Sequence, residues 1–172
     1  RERDAEREFR EAIKIRPDEP FAHNMLGQLL HNRGDLSAAE ASLRAAVKAA
    51  PQRPDVHKNL ALVLIERNQK DEAEKVLREA VGLGLQDPGL HMQLGDLLFE
   101  RDKLEDAEAE FTMILMVHPN DPSALERLGD TQDKLKRYAD AAATYKKAFD
   151  AAPDPVSKTK IERKLRAVEK KK

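Results

Sequence analysis

A proline recurs every 34 residues, at Pro20, Pro54, Pro88 and Pro122, with no insertion or deletion between them. Six residues after each comes a leucine (Leu26, Leu60, Leu94, Leu128), followed at once by a small residue (Gly27, Ala61, Gly95, Gly129). Later in each unit an alanine recurs (Ala39, Ala73, Ala107, Ala141), with a large residue four places on (Leu43, Leu77, Phe111, Tyr145). Three further are Ala46, Ala80, Ile114 and Ala148. A fixed period of this kind excludes most folds built around one irregular core. It marks a short unit that cannot bury its own apolar face and stacks on copies of itself.

Each unit reads as two helices. Leu26, Leu29 and Leu30 share one helical face, and so do Leu43, Ala46 and Val47. Between them lies "NRGDL" (Asn32 to Leu36), whose Gly34 suits a helix-ending turn. A proline in the first helical turn costs little, because its missing N–H would have no helical partner there. The small residues let helices approach closely and the large ones fill the space between them. Abundant Ala, Leu, Glu, Lys and Arg favour helix throughout.

The stretches "HNMLGQLL…AAEASLRAAVKAAP" and "HMQLGDLLFERDKLEDAEAEFTMILMVHP", with the two units in register with them, resemble the tetratricopeptide repeat. The resemblance covers nearly the whole chain. It implies an all-α fold, a right-handed α-solenoid of antiparallel helix pairs with a 34-residue repeat and a C-terminal capping helix. Residues 1–19 then hold the second helix of a truncated repeat, with Ala5, Phe9, Ala12 and Pro17 in register. Four repeats follow at 20–53, 54–87, 88–121 and 122–155, and a basic capping helix at 156–172. The chain starts at Arg1 rather than Met and is expected to be a piece of a longer or processed protein.

Within the capping segment Ile161, Leu165 and Val168 form one apolar stripe, and Thr159 with Glu162 predicts a capping box. Two departures from the repeat carry expectations. The second unit ends "AVGLGLQDP", with Leu85 in place of the closing proline found at Pro51, Pro119 and Pro153, so its second helix should end early. Gln132 stands where the other units have Leu30, Leu64 and Leu98, which predicts a surface open to solvent or to a partner.

Chemistry is sparse. There is no cysteine, which excludes disulfides, thiolate metal sites and cysteine nucleophiles. No nucleophile elbow, phosphate-cradling glycine loop or HExxH motif occurs, so the reading is non-catalytic and without a cofactor. His23, His57 and His91 recur in register, but stacked units lie about 10 Å apart, whereas metal ligands must sit about 2 Å from one ion. They read as packing rings with one nitrogen hydrogen-bonded, and no metal is expected. No apolar run is long enough to span a bilayer.

In the family that the chain resembles, the first helix of each pair lines a concave groove that takes up partner peptides or helices. Carried over by register, this implies Phe21, Asn24, Met25 and Gln28 in the first unit, Lys58, Asn59, Leu62 and Ile65 in the second, Met92, Gln93, Asp96 and Phe99 in the third, and Arg127 and Asp130 in the fourth. The full set of such positions also includes Asp55, Glu66, Glu100, Glu126, Asp133 and Lys134 and leans acidic, seven carboxylates against three cations. A partner with apolar anchors and basic residues is its complement. The clamp for C-terminal carboxylates seen in chaperone-tail binders would fall on Lys58, Leu62, Gln93, Ser123 and Arg127, of which only Lys58 and Arg127 fit. The asparagine ladder of sugar-adding transferases would fall on Met25, Asn59, Gln93 and Arg127 and finds one asparagine.

Charge is uneven along the chain. Residues 156–172 hold eight Lys or Arg against two Glu, net +6, while the remainder is net −7. The basic tail reads first as a solvated cap. A second reading has it dock on the acidic groove of another copy, giving a self-associating scaffold. Nucleic acid is disfavoured, since no aromatic residues interleave with the charges. A third reading makes the segment the recruiting arm of a larger enzyme.

Overall fold

The structure is a computed structural model that describes residues 2–171; residues 1 and 172, which belong to the outermost segments read from the sequence, lie outside the described residues. Among these, all regular structure is helical. The helices are α1 (Glu2–Ile15), α2 (Pro20–Asn32), α3 (Leu36–Ala49), α4 (Pro54–Glu66), α5 (Lys70–Gly82), α6 (Pro88–Glu100), α7 (Leu104–Val117), α8 (Pro122–Lys134), α9 (Tyr138–Ala151) and α10 (Pro155–Glu169). The chain divides into two compact units, residues 1–90 and 91–172.

Every recurrent proline opens a helix. Pro20, Pro54, Pro88 and Pro122 are each the first helical residue, and so is Pro155. The recurrent alanines and large residues form the core. Ala39, Leu43, Ala46, Ala73, Leu77, Ala80, Ala107, Phe111, Ala141 and Ala148 are fully buried, and Tyr145 nearly so. The small residue of each first helix is where the second helix leans in. A Cβ built on Gly27 would lie 2.5 Å from Leu43, one on Gly95 2.6 Å from the Phe111 ring, and one on Gly129 2.6 Å from the Tyr145 ring.

The turn between paired helices repeats as faithfully. Gly34, Asn68, Asp102 and Lys136 all have left-handed φ, between 61° and 81°. Gly, Asn and Asp tolerate that region, whereas lysine gains nothing from it. Lys136→Gly is therefore expected to stabilise the protein by about 0.5–1 kcal/mol, read as a higher urea midpoint at unchanged slope.

The histidines fill the slots expected of packing rings. His23 Nε2 donates to the Pro17 carbonyl and His57 Nε2 to the Pro51 carbonyl, both at 2.8 Å. Each thereby ties a first helix to the proline closing the preceding unit. His91 has no such proline, because Leu85 stands there, and its Nδ1 turns instead to Glu110 Oε2 at 2.7 Å. The same departure shortens α5, which ends at Gly82 where the repeat places Leu83. Gly84 then takes the left-handed conformation that stops the helix.

Two expectations are corrected. Gln132 is not open to solvent. It is buried, accepts from the Thr144 hydroxyl at 2.8 Å and donates to Glu108 at 3.3 Å. A leucine site has become a polar one because Thr144 of α9 and Glu108 of α7 supply partners. Nor do Thr159 and Glu162 form a capping box. The helix is capped five residues earlier, where Asp154 Oδ1 accepts from the N–H groups of Val156 and Ser157 at 2.9 and 3.0 Å. Thr159 lies inside the helix and its hydroxyl donates to the Pro155 carbonyl.

Candidate functional site

In the first unit, the residues carried over to the groove lie on α2 and α4. Phe21 and Leu62 are exposed, at 53% and 39% of their surface. Met25, Gln28, Lys58, Asn59 and Ile65 are half-buried. Asn24 is buried rather than presented. Its amide donates to Asp55 Oδ2 at 3.2 Å, and its carbonyl accepts from Asn59 at 2.8 Å. Arg53 holds the same Asp55 through both oxygens, at 3.0 and 2.6 Å. Lys58 is paired with Asp87 at 3.0 Å. Burial pushes the Asp87 carboxyl up, but Lys58 and the Leu90 N–H outweigh it and hold it below the usual range.

In the second unit, the residues lie on α6 and α8. Met92, Gln93, Asp96, Phe99, Arg127 and Asp130 are all half-buried. Asp96 meets Arg127 Nε at 2.8 Å, yet burial prevails and its carboxyl sits above the ordinary value. Lys134 lies over the Phe99 ring, 4.7 Å from its centroid, and pairs with Asp102. Gln93 Oε1 is buried and accepts no hydrogen bond from the protein.

Asp130 is committed within the chain. It accepts from the Tyr145 hydroxyl at 2.7 Å and from Lys164 of α10 at 2.6 and 2.7 Å. The Tyr145 hydroxyl is held well above the usual phenol range, first by burial and then by Asp130. Lys164 also contacts Glu126, and Lys160 reaches the same carboxylate at 2.7 Å. Lys171 pairs with Asp133 at 2.7 Å. Thus three lysines of the basic tail lie on three acidic residues of the face of α8.

The sequence reading placed these lysines in a solvated cap or against another copy and missed the pairing. The signal was present. Counted from its opening Pro155, α10 carries Ile161 where each first helix carries its leucine, so it stands in register as a further first helix. Its Lys160 meets Glu126 just as Asn59 meets Asn24. A second periodic feature also went unread. Glu6 accepts from Arg33 and Glu40 from Arg67, pairs 34 residues apart that tie a second helix to the end of the next first helix.

Tetratricopeptide repeat profiles match residues 3–54 and 92–154, and a further one matches 32–92. The chain belongs to the tetratricopeptide repeat family. Solved structures of the same class agree. PilF of Pseudomonas aeruginosa matches with a TM-score of 0.78 and 22% identity, over 95% of this chain and 74% of that one. MamA of Desulfovibrio magneticus gives 0.74 and 20%, over 87% and 85%. YrrB, described as a TPR protein with an unusual peptide-binding site, gives 0.74 and 21%, over 90% and 80%. At these identities the likeness carries the fold alone. No curated protein sequence matches significantly.

Within this tetratricopeptide repeat protein the two cations of the would-be carboxylate clamp are already neutralised, Lys58 by Asp87 and Arg127 by Asp96. The groove positions offer apolar surface between internally paired charges. No helix among the described residues is long and apolar enough to cross a membrane.

Proposed function

We propose that the protein is a non-catalytic interaction module whose first helices hold a peptide or helix of a partner protein, by shape and apolar anchors more than by charge. The observation that carries this is the pairing pattern. Asn24, Lys58, Asp96, Arg127 and Asp130 are bonded within the chain, while Phe21 and Leu62 are exposed and Met92 and Phe99 half-exposed. Flexible methionine beside aromatic and aliphatic surface suits adaptable binding.

Self-association through the basic tail gains less support, because Lys160, Lys164 and Lys171 are engaged in the chain's own ion pairs. The test is to select peptides from a random display library against the folded protein and measure their affinities. Selected peptides should carry two or more apolar anchors. Met92→Glu with Phe99→Glu should weaken them by about tenfold or more, the loss of roughly 1.4 kcal/mol of contact. Unchanged affinity with an unchanged circular dichroism melt would end the groove reading.

A further inference from the structure

We propose that the outer face of α7 is a second docking surface, which takes an amphipathic helix of a partner protein with acidic residues along one flank of its apolar stripe. The argument begins with a departure from the repeat. Where α3, α5 and α9 carry Arg44, Arg78 and Lys146, α7 carries Thr112. Met113 stands in place of Glu79 of α5 and Lys147 of α9, and Met116 in place of Lys48 of α3 and Asp150 of α9. Three helices of the same fold hold charge on this face, so packing within the chain does not call for methionine there.

The face is open. Met113, Met116 and Val117 are exposed at 45%, 72% and 63% of their surface. The side of α7 that meets the core is a different one, made by Leu104, Ala107, Phe111 and Ile114. From Phe111 to Val117 every residue but Thr112 is apolar. A helix that is apolar all round belongs in a setting that covers it on all sides, and this one is covered by its own chain on one side alone. An amphipathic helix laid along the open side completes the cover, with its apolar residues against the adaptable methionines.

Charge selects the kind of helix. α9 runs beside α7: Leu115 packs against the core cluster that holds Ala141, Ala142 and Ala148, and Arg137 pairs with Glu108 at 2.6 Å. Lys146 and Lys147 stand 34 residues on from Thr112 and Met113 and flank the stripe at the same level. Both are exposed and, unlike Lys160, Lys164 and Lys171, they hold no ion pair among the described residues. Two free ammonium groups along one edge of an apolar stripe complement carboxylates on one flank of the incoming helix. A second copy of this chain does not supply them. Two α7 helices paired antiparallel about a twofold axis lay α9 on α9 and bring these lysines against each other, and a parallel pair sets the exposed Glu105 against itself. The site lies on second helices, apart from the groove of the first helices, and its test does not depend on that reading.

The test titrates the whole protein with a synthetic helical peptide of leucine, alanine and glutamine that has one glutamate per heptad beside its leucine stripe. Amide resonances report where it binds. Saturable shifts at α7 and α9 are expected, with no such response to the same peptide bearing lysine for each glutamate. Met113→Gln with Met116→Gln, and separately Lys146→Gln with Lys147→Gln, should each weaken binding by about tenfold or more. All four side chains are exposed, so the melts of these variants should match the parent. No saturable shift up to millimolar peptide would overturn the proposal, as would equal binding of the lysine peptide or unchanged affinity in either variant. Shifts confined to α2, α4, α6 and α8 would overturn it and leave the groove reading in place. Sedimentation as a dimer that Met113→Gln with Met116→Gln dissociates would assign the face to a second copy and overturn the proposed occupant. So would phosphatidylglycerol vesicles that broaden the α7 resonances while the peptide does not shift them, which would assign the face to a lipid surface.

Discussion

Gly95→Ala is expected to destabilise the protein, although alanine is the better helix former by about 1 kcal/mol. The added methyl carbon would meet Phe111 Cε1 at 2.6 Å and two further ring atoms at 2.9 and 3.0 Å. Phe111 is fully buried, so its ring has no room to move aside. Overpacking of this kind costs about 1–3 kcal/mol, and steric strain should win over propensity. Phe111→Leu alone should also lose about 1–3 kcal/mol, as a cavity replaces part of the ring. The double variant is the telling one. The chain already uses alanine opposite leucine in the second repeat, where Ala61 and Leu77 are both fully buried. Gly95→Ala with Phe111→Leu should therefore recover to within about 1 kcal/mol of the parent, giving a favourable coupling of about 1–3 kcal/mol in a double-mutant cycle. Urea melts of the four proteins measure it. Additive losses would mean that the small and large residues do not set each other's size.

That pairing shows which part of the fold was legible. Apolar register fixes helix starts because each proline and leucine has one low-energy place in a stacked pair. The starts of α2, α4, α6 and α8 fall on the recurrent prolines for this reason. Polar residues were harder to read, because their direction depends on partners supplied by other helices. Asn24 counted as groove surface by register, yet Asp55 and Asn59 draw it into a buried bond. Gln132 read as exposed until Thr144 and Glu108 gave it partners. The cap of α10 was misplaced at Thr159, and its proline comes 33 residues after Pro122 instead of 34, which hid its identity as a first-type helix. The arginine and glutamate ties between successive helices, Arg33 with Glu6 and Arg67 with Glu40, were visible in the sequence only as a 34-residue period, since nothing local marks which glutamate an arginine will reach. Of the candidate groove, its position came from the family register and its apolar exposure from the structure.

Lys164→Gln should release α10 from the face of α8. The ammonium lies 2.6 and 2.7 Å from the two oxygens of Asp130 and also contacts Glu126, so its removal leaves two carboxylates facing each other half-buried. The loss of charge-assisted hydrogen bonds of this kind is worth about 1.5–3 kcal/mol. It should appear first as faster amide exchange in α10, with α2 to α5 unchanged. Acid should act on the same contact. Burial raises the Glu126 carboxyl, but Lys160 and Lys164 outweigh it and hold it below its ordinary value. A group depressed on folding contributes stability that is present above its unfolded pKa, about 4.3 for glutamate, and is lost as pH falls through the lower folded value. In the parent, α10 should thus stay protected until the pH drops below that of a free glutamate. In Lys164→Gln the opposing ammonium is halved while burial remains, so protection should fade at a higher pH. Salt should weaken the parent contact only modestly, because Lys164 is largely shielded from solvent, at 24% exposure. An α10 that keeps its protection and its acid midpoint without this lysine would be held by Ile161 and Val168, its two buried residues. The acidic face of α8 would then be free for basic partners, and the lysines would be bystanders.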